Sequence, residues 1–120
     1  MNTSTKTLFT ILLFFCIEKL NAQISNISAT QKHLYVYNFE GRMIADFFCF
    51  GNLFGYSTSI IGTVDSRHVY VYDERGRKLS DFFVFGYPSH VNGDFVISKD
   101  NKHVYVYDKN GRKVSDYFER

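Results

Sequence analysis

The chain of 120 residues has no tryptophan, one proline and two cysteines, and each shortage excludes something. Cys16 sits in an apolar N-terminal run, so beyond that run only Cys49 remains and no internal disulfide can form. A disulfide-stapled scaffold is thereby excluded. An excess of one charge is missing too: 14 basic residues stand against 12 acidic ones, interspersed as on an ordinary solvated surface. Such balance offers no electrostatic footing for nucleic acid or an anionic membrane surface. Helical periodicity bounded by caps is absent beyond the N-terminal run, which predicts a domain without helices. The one long apolar run, Leu8 to Ile17, is about half of the ~20 residues that a spanning helix needs.

That run follows Lys6 and precedes the polar "EKLNAQ", the order of a secretory signal. It predicts a signal peptide over residues 1–22, cut between Ala22 and Gln23, and hence an exported protein, periplasmic or secreted, with no membrane span once cleaved. An uncleaved anchor is the alternative, because Leu20 is a poor small-residue substitute near the cut. Residues 23–120 then form one β-repeat domain, too short for two.

What the chain does have is repetition. "HLYVYNFEGRMIADFF" at His33, "HVYVYDERGRKLSDFF" at His68 and "HVYVYDKNGRKVSDYF" at His103 recur at a constant offset of 35 residues. The second and third copies agree at 12 of the 17 positions from Arg67 to Phe83, and the register extends to Phe50-Gly51 and Phe85-Gly86. A fixed period of this length marks one supersecondary unit that needs neighbours to bury its apolar faces. The units fall at about 24–58, 59–93 and 94–120.

Within each unit the valines of "HVYVYD" alternate with tyrosines, so a strand carries β-branched residues on one face and rings on the other, and is covered on both sides. Asn38–Gly41, Asp73–Gly76 and Asp108–Gly111 suit a type I turn closed by a left-handed glycine, the signature of a bulged hairpin. A returning strand follows, and "SIIGTVD" and "DFVISKD" predict a further strand before each hairpin. The fold class is all-β: three tandem β-meander or hairpin repeats.

"GYPSHVNGDFVISKDNKHVYVYDKNGRKVSDYF", Gly86 to Phe118, resembles a β-propeller blade, and its turn spacing is similar to that of tryptophan-glycine repeat proteins without their tryptophan. The resemblance implies a propeller-like array. Propellers close with about four to eight blades and three hairpins are present, so the array is expected to be open or completed by other copies. A β-trefoil, three-fold by nature, is the alternative.

Three sets of repeated residues are candidates for chemistry. His33, His68 and His103 would approach a common axis in a closed three-fold structure, where imidazoles bind zinc or copper; otherwise each caps backbone groups at a strand start. Asp46, Asp81 and Asp116 follow Arg42, Arg77 and Arg112 by four residues, a spacing that shares a strand face and suits a structural ion pair. Tyr35, Tyr37, Tyr70, Tyr72, Tyr105 and Tyr107 could form a ring platform for sugars or peptides, although most of the 9 tyrosines and 13 phenylalanines must build the core. Cys49 takes the place of Val84 in the next copy and reads as a small buried hydrophobe.

These features predict an exported, non-enzymatic binding or assembly module, without cofactor, whose partner is a protein, a glycan or another copy of itself. The alternative is a small exported metal-dependent enzyme built on the repeated histidines.

Overall fold

The computed structural model describes residues 22–120; the expected signal segment lies, apart from Ala22, outside them. Eleven strands form among the described residues: β1 Asn26–Thr30, β2 His33–Tyr37, β3 Met43–Phe48, β4 Asn52–Tyr56, β5 Ile60–Asp65, β6 His68–Asp73, β7 Lys78–Phe83, β8 Tyr87–Asn92, β9 Phe95–Asp100, β10 His103–Asp108 and β11 Lys113–Phe118. They make three antiparallel meanders, β1-β2-β3, β4-β5-β6-β7 and β8-β9-β10-β11. The sheets divide one strand earlier than the sequence units do, because β4 and β8 pair forward with β5 and β9. The position in the first sheet equivalent to β4 and β8 falls at 17–21, outside the described residues.

Turn chemistry explains the hairpins. In each, the glycine N–H donates to the carbonyl of Asn38, Asp73 or Asp108 at 3.0 Å, and the side-chain oxygen of that residue accepts two further backbone N–H groups, for Asp73 those of Arg75 and Arg77. Gly76 has φ +83°, the left-handed value that the turn requires. The register then slips by one residue, between Val36 and Tyr37, Val71 and Tyr72, and Val106 and Tyr107. All three bulges are in the same place.

The sheets stack through unlike faces. Leu34 and Val36 of the first sheet are fully buried and pack in one cluster with Ile61 and Tyr72 of the second. Val69 and Val71 of the second sheet repeat the arrangement with Val96 and Tyr107 of the third. Each valine face is thus covered by the next sheet's tyrosine face, and β6 is buried on both sides as its composition requires. Glycine makes the approach close enough: Gly76 lies over the ring of Phe47 and Gly111 over that of Phe82, where an added Cβ would overlap the ring. The second and third sheets converge where β8 runs beside β4 and β5.

The result is a propeller-like stack of repeated hairpin sheets. The trefoil alternative does not form: no closed barrel exists among the described residues, because the apolar faces are satisfied by stacking along a row and need no three-fold closure.

Candidate functional site

Every repeat builds the same cluster on its tyrosine face. His33 Nε2 lies 3.0 Å from Asp46 Oδ1, and His68 with Asp81 and His103 with Asp116 are both at 2.9 Å. A carboxylate can only accept, so Nε2 carries the proton. Nδ1 then accepts the Tyr70 hydroxyl at 3.4 Å in the second sheet and the Tyr105 hydroxyl at 3.1 Å in the third. The imidazole faces are occupied as well. His68 stacks on Tyr70 with centroids 4.5 Å apart and meets Phe83 at 4.4 Å; His103 does the same with Tyr105 and Phe118.

The three histidines therefore sit on three different sheets, each committed to its own aspartate, and they do not meet. No group of three or more His, Cys, Asp or Glu side chains able to hold a metal ion occurs among the described residues. In the second and third sheets both ring nitrogens are engaged, which leaves no imidazole lone pair directed outward.

The aspartates do not pair with the arginines four residues earlier. Asp81 instead takes Lys78 Nζ at 2.8 Å beside His68, and Asp116 takes Lys113 Nζ at 3.1 Å. The bulge is the reason. Tyr72 faces Lys78 and Tyr70 faces Asp81, so one inserted residue, Leu79, puts positions three apart on the same face and removes Arg77 from it. Arg77 turns back to Asp73 at 2.9 Å.

Among the six candidate tyrosines the structure separates two kinds. Tyr72 and Tyr107 are each only 4% exposed and cannot serve as a ligand platform. Their hydroxyls accept the backbone N–H of Phe50 at 3.0 Å and Phe85 at 2.9 Å, anchoring the loop from the preceding sheet. The same loops are held at their carbonyls, Phe50 by Thr63 Oγ1 at 2.5 Å and Phe85 by Ser98 Oγ at 2.7 Å. Cys49 and Val84, at the start of these loops, are equally buried at 6%, and burial pushes the Cys49 thiol up from its ordinary value. Tyr35, Tyr37, Tyr70 and Tyr105 are half-buried.

Sequence patterning missed the most exposed feature. Phe48, Phe83 and Phe118 are 77%, 73% and 72% exposed, and Phe50 and Phe85 are exposed too. Phe50 stacks on Tyr70 and Phe85 leans on Tyr105, both at 5.3 Å. Each contact extends the histidine cluster into a four-ring ladder: Phe50, Tyr70, His68, Phe83 in the second sheet and Phe85, Tyr105, His103, Phe118 in the third. The signal was present in "FFCF" and "FFVFG", where buried Cys49 and Val84 each stand between two outward phenylalanines.

Four carboxyls are held below the usual carboxylate range. Burial alone would raise Asp73, but the Arg77 and Arg75 N–H groups and the Arg77 guanidinium outweigh it. The Arg112 N–H lowers Asp108, Lys78 and then His68 lower Asp81, and His103 and then Lys113 lower Asp116. A carboxyl with a depressed folded-state pKa stabilises the fold fully above its unfolded value of about 3.9 and loses that contribution as pH falls through the folded value. The expected result is a melting temperature that drops once the pH goes below about 4, with a shallower drop in Asp73→Asn. Thermal melts across an acid series check both; an identical acid limb in the variant would remove Asp73 from the account.

No family model matches the chain, and no curated protein matches it. Among solved structures, the crystal structure of BamB from Moraxella catarrhalis, a β-propeller-type protein, is similar at 20% identity and a TM-score of 0.53. The match covers 78% of this chain and 32% of that one, so the chain spans about a third of that protein's length. At this identity the likeness concerns the fold alone, and it agrees with the stacked meanders: this chain has a propeller-like all-β repeat architecture.

Proposed function

We propose that this protein is an exported, non-enzymatic binding and assembly module whose ring ladders receive a protein partner. The observation that carries the reading is the exposed phenylalanine pair at a 35-residue period, supported underneath by a His–Asp bond that no apolar packing requires. Five outward phenylalanines, at the ends of β3, β7 and β11 and in the loops after β3 and β7, present apolar surface of the kind that marks interaction sites, and aromatic anchors dominate binding energy at interfaces. A protein is favoured over a glycan because these positions offer rings with little free hydrogen-bonding capacity around them: the flanking aspartates are already engaged by His and Lys. The signal-like N-terminal run supports export, and no helix long and apolar enough to cross a membrane occurs among the described residues.

The test is site-specific photo-cross-linking in the native host, with the photoreactive residue at Phe83 or, as control, at Lys109, on chain recovered outside the cytoplasm and beginning at Gln23. A discrete, protease-sensitive adduct is expected from Phe83 only, and it should disappear when Phe50 and Phe85 are both serine. Equal adducts from the two positions, none at all, or an adduct resistant to protease and sensitive to glycosidases would overturn the protein-partner reading.

A further inference from the structure

The two end sheets show what their faces lack. Tyr72 and Tyr107 are covered by the preceding sheet, whereas Tyr37, at the same repeat position in the first sheet, is only half-buried. Val36 and Val71 are fully buried under the following sheet, whereas Val106 is not. Phe47 and Phe82 lie beneath Gly76 and Gly111; the equivalent ring in the third sheet, Tyr117, is 53% exposed, and the equivalent glycine in the first sheet, Gly41, has nothing within 4 Å of where a Cβ would stand. Among the described residues, a ring without a seat and a seat without a ring are thus left at opposite ends of one stack.

Composition at the ends points the same way. On the first sheet, Phe39 and Met43 replace the charged residues Glu74 and Lys78 of the second and Lys109 and Lys113 of the third, and both are exposed. On the third, Phe95 is exposed alongside Tyr117, whereas its counterpart in the second sheet, Ile60, is buried.

We infer that a second copy of this chain covers these faces, the valine face of the third sheet packing on the tyrosine face of the partner's first sheet. Tyr117 of one copy enters over Gly41 of the other, repeating Phe47 on Gly76 and Phe82 on Gly111. Two such contacts would join the six sheets that the described residues of two chains contribute, a number inside the range of about four to eight that propellers use. The contact is head-to-tail, so the proposal commits to closure after one repetition, and a concentration-dependent growth in mass beyond two chains would overturn it in favour of an open fibre. This occupant is favoured over an unrelated partner because the interface already exists twice within the chain. The inference deepens the assembly half of the proposed function and rests on it, but Tyr117, Phe39 and Met43, which it invokes, belong to neither four-ring ladder.

Light scattering on the purified protein, coupled to size exclusion, is expected to give twice the mass that the same sample shows when denatured. A tail variant, Tyr117→Arg, and a head variant, Phe39→Lys with Met43→Glu, should each run as a monomer, while the ladder variant Phe83→Ser stays dimeric. All of these positions are exposed, and unchanged circular dichroism establishes that each variant folds. Mixing head and tail variants should restore a heterodimer, since each pair retains one intact interface; homodimers built on a symmetric end-to-end contact would not recover this way. A wild-type monomer at every concentration, or a mixture that stays monomeric, would overturn the second-copy proposal and leave the ladder proposal to its own cross-linking test. Loss of the cross-link with an intact dimer would do the reverse.

Discussion

Gly86→Ala is expected to shift the unfolding transition to much lower urea, the largest loss of stability of any single substitution considered. Gly86 turns the chain from the outer edge of the second sheet into β8, at φ +70°, and a Cβ there would overlap the backbone carbonyl of Lys99. The left-handed conformation alone costs a non-glycine residue roughly 1–2 kcal/mol. The overlap adds more, because the obstructing atom is main chain within a sheet and has no rotamer to move to. A combined loss on the order of 3 kcal/mol or greater is a large share of the total stability of a small domain, about 0.05–0.15 kcal/mol per residue. Gly93 is the internal control: φ is +59° and nothing lies within 4 Å of its Cβ position, so Gly93→Ala should cost only the conformational part, roughly 1–2 kcal/mol. Urea melts of the two variants decide it. Equal losses would mean that crowding at the loop between sheets does not matter.

Tyr72→Ala has the second largest expected effect, about 3–5 kcal/mol, as for other large aromatic truncations in cores. Its ring lies 5.0 Å from that of Phe47 in the gap between the first two sheets, and its hydroxyl holds Phe50 N–H. Two losses therefore combine: packing between sheets and the anchor of the loop that joins them. Tyr72→Phe separates them, since it keeps the ring and leaves the N–H without its acceptor, for a loss of about 1–3 kcal/mol. Equilibrium denaturation of both variants measures the split. A Phe variant as damaged as the Ala variant would show that the hydroxyl, and not ring packing, holds the sheets together.

The repeat made much of this fold legible. Strand positions, hairpin turns and the two-sided burial of β6 follow from a 35-residue phrase whose valines and tyrosines alternate, because side-chain period and turn chemistry are local properties. Cys49 as a small core residue was legible by the same comparison of copies. The pairing of Asp81 was not. Its spacing from Arg77 suggests a shared strand face, and only the residue added at the bulge brings Lys78 and His68 to it. That bulge is itself implied by the turn at Asp73–Gly76; what the turn does not show is how far its slip carries along β7. Nor could the tyrosines be sorted, since Tyr70 and Tyr72 lie on one face of one strand and differ only in how far the neighbouring sheet reaches over them.

Sequence alone determined that this chain is built of β modules that need each other, since no single hairpin can bury both of its apolar faces. The tertiary arrangement decided which face meets which: valine under tyrosine, ring under glycine, in a row that leaves one face of each kind without a neighbouring sheet among the described residues. It also decided that the repeated histidines stay apart, each held by its own aspartate, with the phenylalanines turned outward beside them. Alternation along a strand says which residues share a side; only the neighbour's position says whether that side meets protein or water.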